Sequence, residues 1–305
     1  MKILITGGAG FIGSNIALEA QKRNYKTYIL DDFSSSNFKN LEEFKGEVIV
    51  GDILDINLLS KLPKFDVVIH QAAITDTTLK DDKKMLYVNF NGFKNILNFC
   101  LSKKTKKLIY ASSAGVYGDG PSPMKENQKL HPLNTYAYSK YLCDREVLRL
   151  INKKKFPLKI IGLRYFNVYG PGEYHKKSAS SMIYQLYLQM KQNPPPRIFK
   201  YGEQKRDFVY VKDVVEITLK CIEVNRSVIL NVGKGEARSF NEIIDILNKV
   251  IGTNFKPDYF DNPYQGVYQD FTQADISLLQ KVLKIKPKFS LEEGIKDYVT
   301  NYLER

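Results

Sequence analysis

The chain has no tryptophan and only three histidines and three cysteines among 305 residues. Those shortages close off several kinds of protein. Cys100, Cys143 and Cys221 are odd in number, widely spaced and free of any Cys-x-x-Cys or adjacent His pair, so neither a disulfide framework nor a metal site is expected. Isolated thiols of this kind fit burial in a reducing cytoplasm, the expected compartment. Long apolar runs are missing too. None approaches the roughly 18 residues of a membrane span, and the opening Met1-Lys2-Ile3-Leu4-Ile5-Thr6 reads as a core strand instead of a secretion signal, so no membrane partner is expected. Acidic residues are outnumbered, 33 against 46 Lys and Arg, which leaves a net charge of +13. A polyanion surface would need those cations in one stripe. Instead Lys103, Lys104, Lys106 and Lys107 follow one helical stretch and Lys153, Lys154 and Lys155 another, where cations offset the negative end of a helix dipole. They read as solvated surface, with no nucleic-acid partner, although the positive field suits a small substrate bearing a diphosphate.

What is present is apolar material for a large core: 43% of residues are hydrophobic, and a chain of this length needs no covalent staple to fold. Through residue 165, short β-branched runs alternate with longer helical patterns. Strand candidates are Lys2–Thr6, Lys26–Leu30, Glu47–Val50, Val67–His70, Lys107–Ala111 and Leu158–Leu163. Parallel neighbours need crossover connections, so this rhythm predicts an α/β fold, a doubly wound parallel sheet with helices on both faces. After Gly170 the rhythm loosens. Pro194-Pro195-Pro196 is followed by strand candidates at Arg197–Lys200 and Val228–Asn231 and by helices near 240–251 and 291–303.

The first strand runs into Thr6-Gly7-Gly8-Ala9-Gly10-Phe11-Ile12-Gly13 and then a helix with apolar Ile16, Ala17 and Ala20. Glycines 7, 10 and 13 permit a tight turn, close approach of the backbone to a pyrophosphate, and close packing of helix on strand, with the helix N-terminus facing the anion. The second strand ends in Asp31-Asp32, where a carboxylate can hold the adenosine ribose hydroxyls. Residues 1–165 are therefore expected to form a dinucleotide-binding Rossmann domain. Residues 166–305 read mainly as a smaller α/β substrate lobe, with chain exchange between the lobes and the substrate bound between them.

The reaction chemistry is expected from Tyr136-Ala137-Tyr138-Ser139-Lys140 on the next helix, preceded by Ser112-Ser113 at the end of the fifth strand. Tyr136 and Lys140 are four apart and share one helical face. A phenol, with an ordinary pKa of about 10, becomes a useful base when an ammonium and an oxidised nicotinamide lie close by. Tyr136 would then take a hydroxyl proton as hydride leaves the same carbon, Ser113 would hydrogen-bond the reacting oxygen, and Lys140 would also hold the nicotinamide ribose.

The Gly-x-x-Gly-x-x-Gly spacing resembles that of the extended short-chain dehydrogenase/reductase superfamily. Gly51-Asp52-Ile53-Leu54-Asp55, His70-Gln71-Ala72-Ala73 and Asn89 follow in the same order. The resemblance places Asp52 at the adenine, and Gln71, Ala72 and Ala73 along the cofactor. Within that superfamily, Arg164-Tyr165-Phe166-Asn167-Val168-Tyr169-Gly170-Pro171-Gly172-Glu173-Tyr174-His175-Lys176 resembles the ADP-L-glycero-D-manno-heptose 6-epimerase family. So do Lys205-Arg206-Asp207-Phe208-Val209-Tyr210-Val211, Tyr268-Gln269-Asp270-Phe271-Thr272-Gln273-Ala274-Asp275, and Thr75 with Thr77-Thr78. The likeness runs over nearly the whole chain.

It implies cofactor contacts from Gly7, Gly10, Phe11, Ile12, Gly13, Asp31, Asp32, Ile53, Thr75, Asn89, Lys140, Val168 and His175 as well. Substrate contacts are implied for Asn167, Ser178, Gln185, Phe199, Arg206 and Tyr268; an arginine suits a phosphate because its planar donors bind two oxygens. Lys176 is implied as a second acid/base. An aldehyde formed at C6 of a heptose can rotate and present its other face to the hydride, and its oxygen then needs a proton donor opposite the first. Tyr174 and Lys177 stand where glycines are common in that family, and Gln185 where a histidine is common.

The expected cofactor is one tightly bound NADP or NAD per chain. The family tends towards NADP, whereas Asp31-Asp32 followed by Phe33-Ser34-Ser35-Ser36 lacks a prompt cation for a 2′-phosphate; Lys39 is the nearest one that could reach it. The expected partners are a nucleotide diphosphate sugar and further copies of the chain. A UDP-hexose 4-epimerase, using Tyr136 alone, is the alternative enzyme. Ala114-Gly115 after Ser113 fits a 4,6-dehydratase poorly, since those enzymes place an acidic pair there, and a non-catalytic dinucleotide sensor would have little use for both Tyr136 and Lys140.

Overall fold

The computed structural model describes residues 1–76, 80–152, 156–263 and 269–304. The first half alternates β1 (Lys2–Thr6), α1 (Phe11–Lys22), β2 (Lys26–Asp31), β3 (Glu47–Val50), α2 (Ile56–Lys61), β4 (Val67–His70), α3 (Asp82–Leu86), α4 (Gly92–Ser102), β5 (Lys107–Ser113), α5 (Thr135–Ile151) and β6 (Lys159–Tyr165). There follow β7 (Asn167–Tyr169), α6 (Met182–Lys191), β8 (Arg197–Phe199), β9 (Lys205–Tyr210), α7 (Val211–Lys220), β10 (Val228–Val232), β11 (Ala237–Ser239), α8 (Phe240–Ile251), β12 (Asp258–Phe260), α9 (Ser277–Leu283) and α10 (Leu291–Tyr298).

The main sheet has seven strands in the order β10-β6-β5-β4-β1-β2-β3, and every pairing is parallel. The chain winds outward from β1 to β3, then returns to lay β4 against the other side of β1. The carboxyl ends of β1 and β4 therefore flank a crevice where crossovers diverge, the usual ligand position in such sheets. Continuous apolar runs such as Ile3-Leu4-Ile5 suit strands covered on both faces, and all three are fully buried. Each such side chain contributes about 1.5–3 kcal/mol on leaving water.

The seventh strand comes from beyond the point where the alternating pattern loosens. Val228–Val232 joins β6, so the polypeptide crosses back into the dinucleotide half after building β7 to β9. Two small sheets lie outside the main one: β11-β9-β7, and a parallel β12-β8 pair. One hydrophobic cluster runs from Ile3, Ile16 and Ile161 through Ile183 and Tyr187 to Phe240 and Ile295, so the second half shares a core with the first.

All three cysteines are buried and free. One of the lysines read as solvated is not: Lys107 begins β5, is 6% exposed, and donates its ammonium to the Ile222 carbonyl. A strand start in a covered sheet takes its side chain inward whatever its charge, and that carbonyl makes the burial tolerable. Lys153, Lys154 and Lys155 lie outside the described residues.

Candidate active site

The glycine turn is held by contacts that admit no side chain. Gly7, at φ +67°, donates to the Leu30 carbonyl at 2.9 Å, and a Cβ there would lie 2.6 Å from the Ala72 nitrogen. A Cβ on Gly13 would come within 2.1 Å of the Gly7 carbonyl oxygen. Asp55 and Asn134 cap α2 and α5 through their side chains, whereas α1 begins at Gly10 with no side-chain cap. Its first-turn amides, those of Phe11, Ile12 and Gly13, therefore fit a pyrophosphate as their acceptor.

Asp31, buried at the end of β2, accepts from Ala9 N at 2.8 Å, Phe33 N at 2.9 Å and Ser36 Oγ at 2.8 Å. A carboxylate has about four acceptor sites, so Asp31 both shapes the turn and keeps capacity for a ribose hydroxyl. Asp32 is exposed and holds Ser34. Asp52 is exposed beside the buried Ile53. Gln71, Ala72 and Ala73 are half-buried after β4 and Thr75 is exposed, while Thr77 and Thr78 lie outside the described residues. Asn89 is buried, and its amide is engaged by the backbone of Ile74 at 2.8 and 3.0 Å and by Ser139 Oγ at 3.0 Å. It thereby ties the loop after β4 to α5.

The Tyr136 side is built on regular elements. Asn134 caps α5 by accepting from Ala137 N at 2.9 Å, and β5 extends to Ser113, opposite Tyr165 of β6. Burial pushes the Tyr136 phenol up to about 12, and Ser113 partly offsets that rise. Lys140 is 4% exposed, donates to the Ala111 carbonyl at 3.0 Å, and holds its ammonium 5.9 Å from the Tyr136 ring centroid. Burial lowers the Lys140 pKa, against the attraction of Cys143 and Asp144. It also pushes His70 down to about 3, with Lys140 adding to the effect, so His70 is a neutral partner of Thr6 at 2.7 Å.

One turn beyond Lys140 lies a feature that sequence reading did not single out. Asp144, fully buried, accepts from Arg164 Nε at 2.8 Å and from the Tyr110 hydroxyl at 2.7 Å. Arg164 also reaches the Tyr117 hydroxyl at 2.8 Å, and Tyr117 donates to Asn231 at 2.5 Å. The four-residue step from Lys140 to Asp144 was the available signal, because it puts both on one helix face.

The Lys176 side is built on a loop. Gly170, Gly172 and Lys177 have φ of +137°, +95° and +50°. Asn15 donates to the Pro171 carbonyl at 2.8 Å, and Asn40 to the carbonyls of Gly172 at 3.2 Å and Ala9 at 3.0 Å. Asn40 Nδ2 also lies 3.3 Å from His175 Nδ1. The loop is thus fastened to the glycine turn itself. Lys176 is half-buried, its ammonium 5.8 Å from the centroid of Phe11, and burial lowers its pKa while Glu173 opposes that. Tyr136 and Lys176 therefore come from separate elements, one beside Ser113 and the other beside Phe11.

Among the expected substrate residues, Asn167 is half-buried on β7 and donates to the Asp207 carbonyl at 3.3 Å. Val168 follows it, also half-buried. Arg206 is 7% exposed on β9, next to Asp207, whose carboxylate accepts the amides of Lys234, Gly235 and Ala274 at 2.6, 2.8 and 2.9 Å. Phe199 packs edge-on against Phe260 at 5.0 Å. Gln185 donates to the carbonyls of Ser178 at 3.1 Å and Ser180 at 2.8 Å, so it braces the Lys176 loop. Tyr268 lies outside the described residues.

Known proteins share this arrangement. The NAD dependent epimerase/dehydratase family matches residues 3–233. An ADP-L-glycero-D-manno-heptose-6-epimerase of Brachyspira hyodysenteriae is 38% identical over 97% of this chain and 96% of its own. The crystal structure of the Helicobacter pylori ADP-L-glycero-D-manno-heptose-6-epimerase superimposes with a TM-score of 0.91 at 42% identity, covering 98% of this chain and 95% of that one. A Bacillus cereus UDP-glucuronic acid 4-epimerase, in complex with UDP-glucuronic acid and NAD, gives 0.86 at 29% identity over 100% and 99%. With full-length likeness in both sequence and fold, the chain belongs to the NAD dependent epimerase/dehydratase family, on the branch of the ADP-L-glycero-D-manno-heptose-6-epimerases.

Proposed function

We propose that this enzyme inverts C6 of an ADP-glycero-manno-heptose through an aldehyde, with Tyr136 and Lys176 as acid/bases for opposite faces. The observation that carries the reading is the placement of Lys176: half-buried beside Phe11 at the start of α1, on a different element from Tyr136. A bound nicotinamide supplies the hydride acceptor and then the hydride donor at C6. Tyr136 takes the C6 hydroxyl proton as the carbon is oxidised, with the Lys140 ammonium 5.9 Å from its ring centroid. Ser113 donates a hydrogen bond to the same oxygen. Rotation about the C5–C6 bond carries that oxygen towards Lys176, whose ammonium gives it a proton as hydride returns to the carbon's other face, leaving Tyr136 protonated and Lys176 neutral. Arg206, Asn167 and Phe199 fit a nucleotide diphosphate held in residues 166–305, which we read mainly as the substrate lobe.

For the cofactor we favour one tightly held NAD per chain over NADP. Two carboxylates close β2, one buried and one exposed, and a 2′-phosphate beside them would be repelled. Incubation with a panel of ADP-heptoses and UDP-hexoses, followed by NMR of the sugar carbons, tests the substrate assignment. Inversion at C6 of the heptose supports it; turnover of a UDP-hexose at C4 alone replaces it with the single-base reading.

A further inference from the structure

We propose that Glu173 is the positioning residue of the second acid/base: its carboxylate staples the two ends of the 170–181 loop and so holds Lys176 beside the glycine turn. This rests on the two-base reading above. Glu173 is fully buried. Its Oε1 accepts from Gly170 N at 3.1 Å and Ser181 Oγ at 2.9 Å, and its Oε2 accepts from Ser181 N at 2.5 Å. Burial, and after it the charge of Glu173, raise the pKa of the Tyr298 phenol on α10. One side chain thus receives three donors, one from the first residue of the loop and two from the last. Burial raises the Glu173 pKa and the Ser181 and Gly170 donors oppose that; three donors and no acceptor suit a carboxylate, which when ionised accepts only.

The stretch between those ends needs such a staple. Its one regular segment is a short 3₁₀ stretch, Tyr174–Ala179, kinked at Lys177, which adopts a positive φ, a conformation costing about 1–3 kcal/mol that persists only where the surroundings over-determine it. Lys176 follows Glu173 by three residues and donates its amide to the Glu173 carbonyl at 2.9 Å. Ser181 is at once a donor to Glu173 and the cap of α6, accepting from Tyr184 N at 3.2 Å. The staple therefore connects the loop to a rigid helix. The negative charge of Glu173 also favours the charged form of Lys176 against burial.

The test uses an ADP-sugar carrying an aldehyde at C6 and the enzyme with its bound cofactor. Two such aldehydes and one water yield one acid and one alcohol, with hydride passing from the first carbon to the second by way of the cofactor. In the Tyr136→Phe enzyme only Lys176 remains to serve this dismutation, and in the Lys176→Met enzyme only Tyr136. Adding Glu173→Gln, which turns one acceptor into a donor at nearly constant shape, should lower the rate about 10²-fold in the Tyr136→Phe enzyme, the scale of a misplaced catalytic group. It should leave the Lys176→Met enzyme at its parent's rate, with cofactor absorbance retained in both. Equal losses in the two backgrounds, or none in either, would overturn the proposal. If Glu173→Gln does not fold, Ser181→Ala deletes one side-chain donor to Glu173 and should give the same one-sided loss at smaller size; a two-sided loss or none again overturns it. A Lys176→Met enzyme that is itself a fully active epimerase removes the two-base reading and this proposal together. An impaired Lys176→Met enzyme, with Glu173→Gln harmless in the Tyr136→Phe background, removes this proposal alone.

Discussion

The two sides of the candidate site reach similar chemical ends by different physics. Tyr136 is placed by secondary structure: a capped helix, a long parallel strand, and the fully buried Asp144–Arg164 pair behind it. Lys176 is placed by a loop whose backbone turns through left-handed conformations and is fixed by side chains, Asn15 and Asn40 from one half of the fold and Glu173 within. Regular elements satisfy their own backbone groups, so a residue on them needs little outside support. The Lys176 loop keeps a few short-range backbone bonds, such as Lys176 to Glu173, and borrows the rest from side chains. The lesson is that the second acid/base should be the more easily misplaced of the two, and the first the more costly to undermine.

The largest effects should come from removing either proton carrier. Tyr136→Phe and Lys176→Met are each expected to lower kcat for heptose epimerisation by about 10²- to 10⁴-fold with KM little changed; a Lys176→Met enzyme whose loss appears in KM alone would make that lysine a binding residue. Next comes the support behind Tyr136. Arg164→Met leaves the buried Asp144 without its charged partner, so thermal or denaturant unfolding should register a loss of about 3–5 kcal/mol. Survival of Arg164→Met at wild-type stability would erase the distinction between the two sides.

A smaller effect tests how Tyr136 is tuned. Lys140→Met removes the ammonium that lies 5.9 Å from the Tyr136 ring centroid; a positive charge at that range favours the phenolate, so its loss should raise the phenol pKa. The acidic limb of the kcat profile, where Tyr136 must lose its proton, should then move to higher pH, and an unmoved limb would assign that limb to another group. Smallest of all is the outer fastening of the loop. Asn40→Ala deletes hydrogen bonds to Gly172 and Ala9, worth about 1 kcal/mol each, and should slow Lys176-dependent turnover more than the dismutation that Tyr136 supports alone; equal slowing of both would place its effect on the cofactor turn.

The same contrast explains how much of the molecule was legible in its sequence. The winding of the sheet, the glycine turn and the Tyr136–Lys140 step are local patterns, repeating at the periods of strand and helix, and they can be read from one stretch of chain. Lys107 was misread because its exposure depends on Ile222, far along the chain. The same holds for the Lys176 side. Asn40 meets His175 across 135 residues, and Glu173 meets Tyr298 on the last α-helix, pairings that no spacing rule contains. Arg164 lay within a quoted motif, yet its partner Asp144 sits on a separate element, and only the packing of α5 on β6 joins them.

The central claim is that two groups serve two faces, and the double variant tests it most directly. On the C6 aldehyde, the account predicts that Tyr136→Phe and Lys176→Met each keep part of the wild-type dismutation, because one acid/base can still serve one face. Tyr136→Phe combined with Lys176→Met should lose nearly all of it, a deficit well beyond the product of the single losses. Single losses that simply multiply in the double variant, or a double variant that still dismutates at the rate of Tyr136→Phe, would contradict the two-base mechanism and leave Tyr136 as the enzyme's one acid/base.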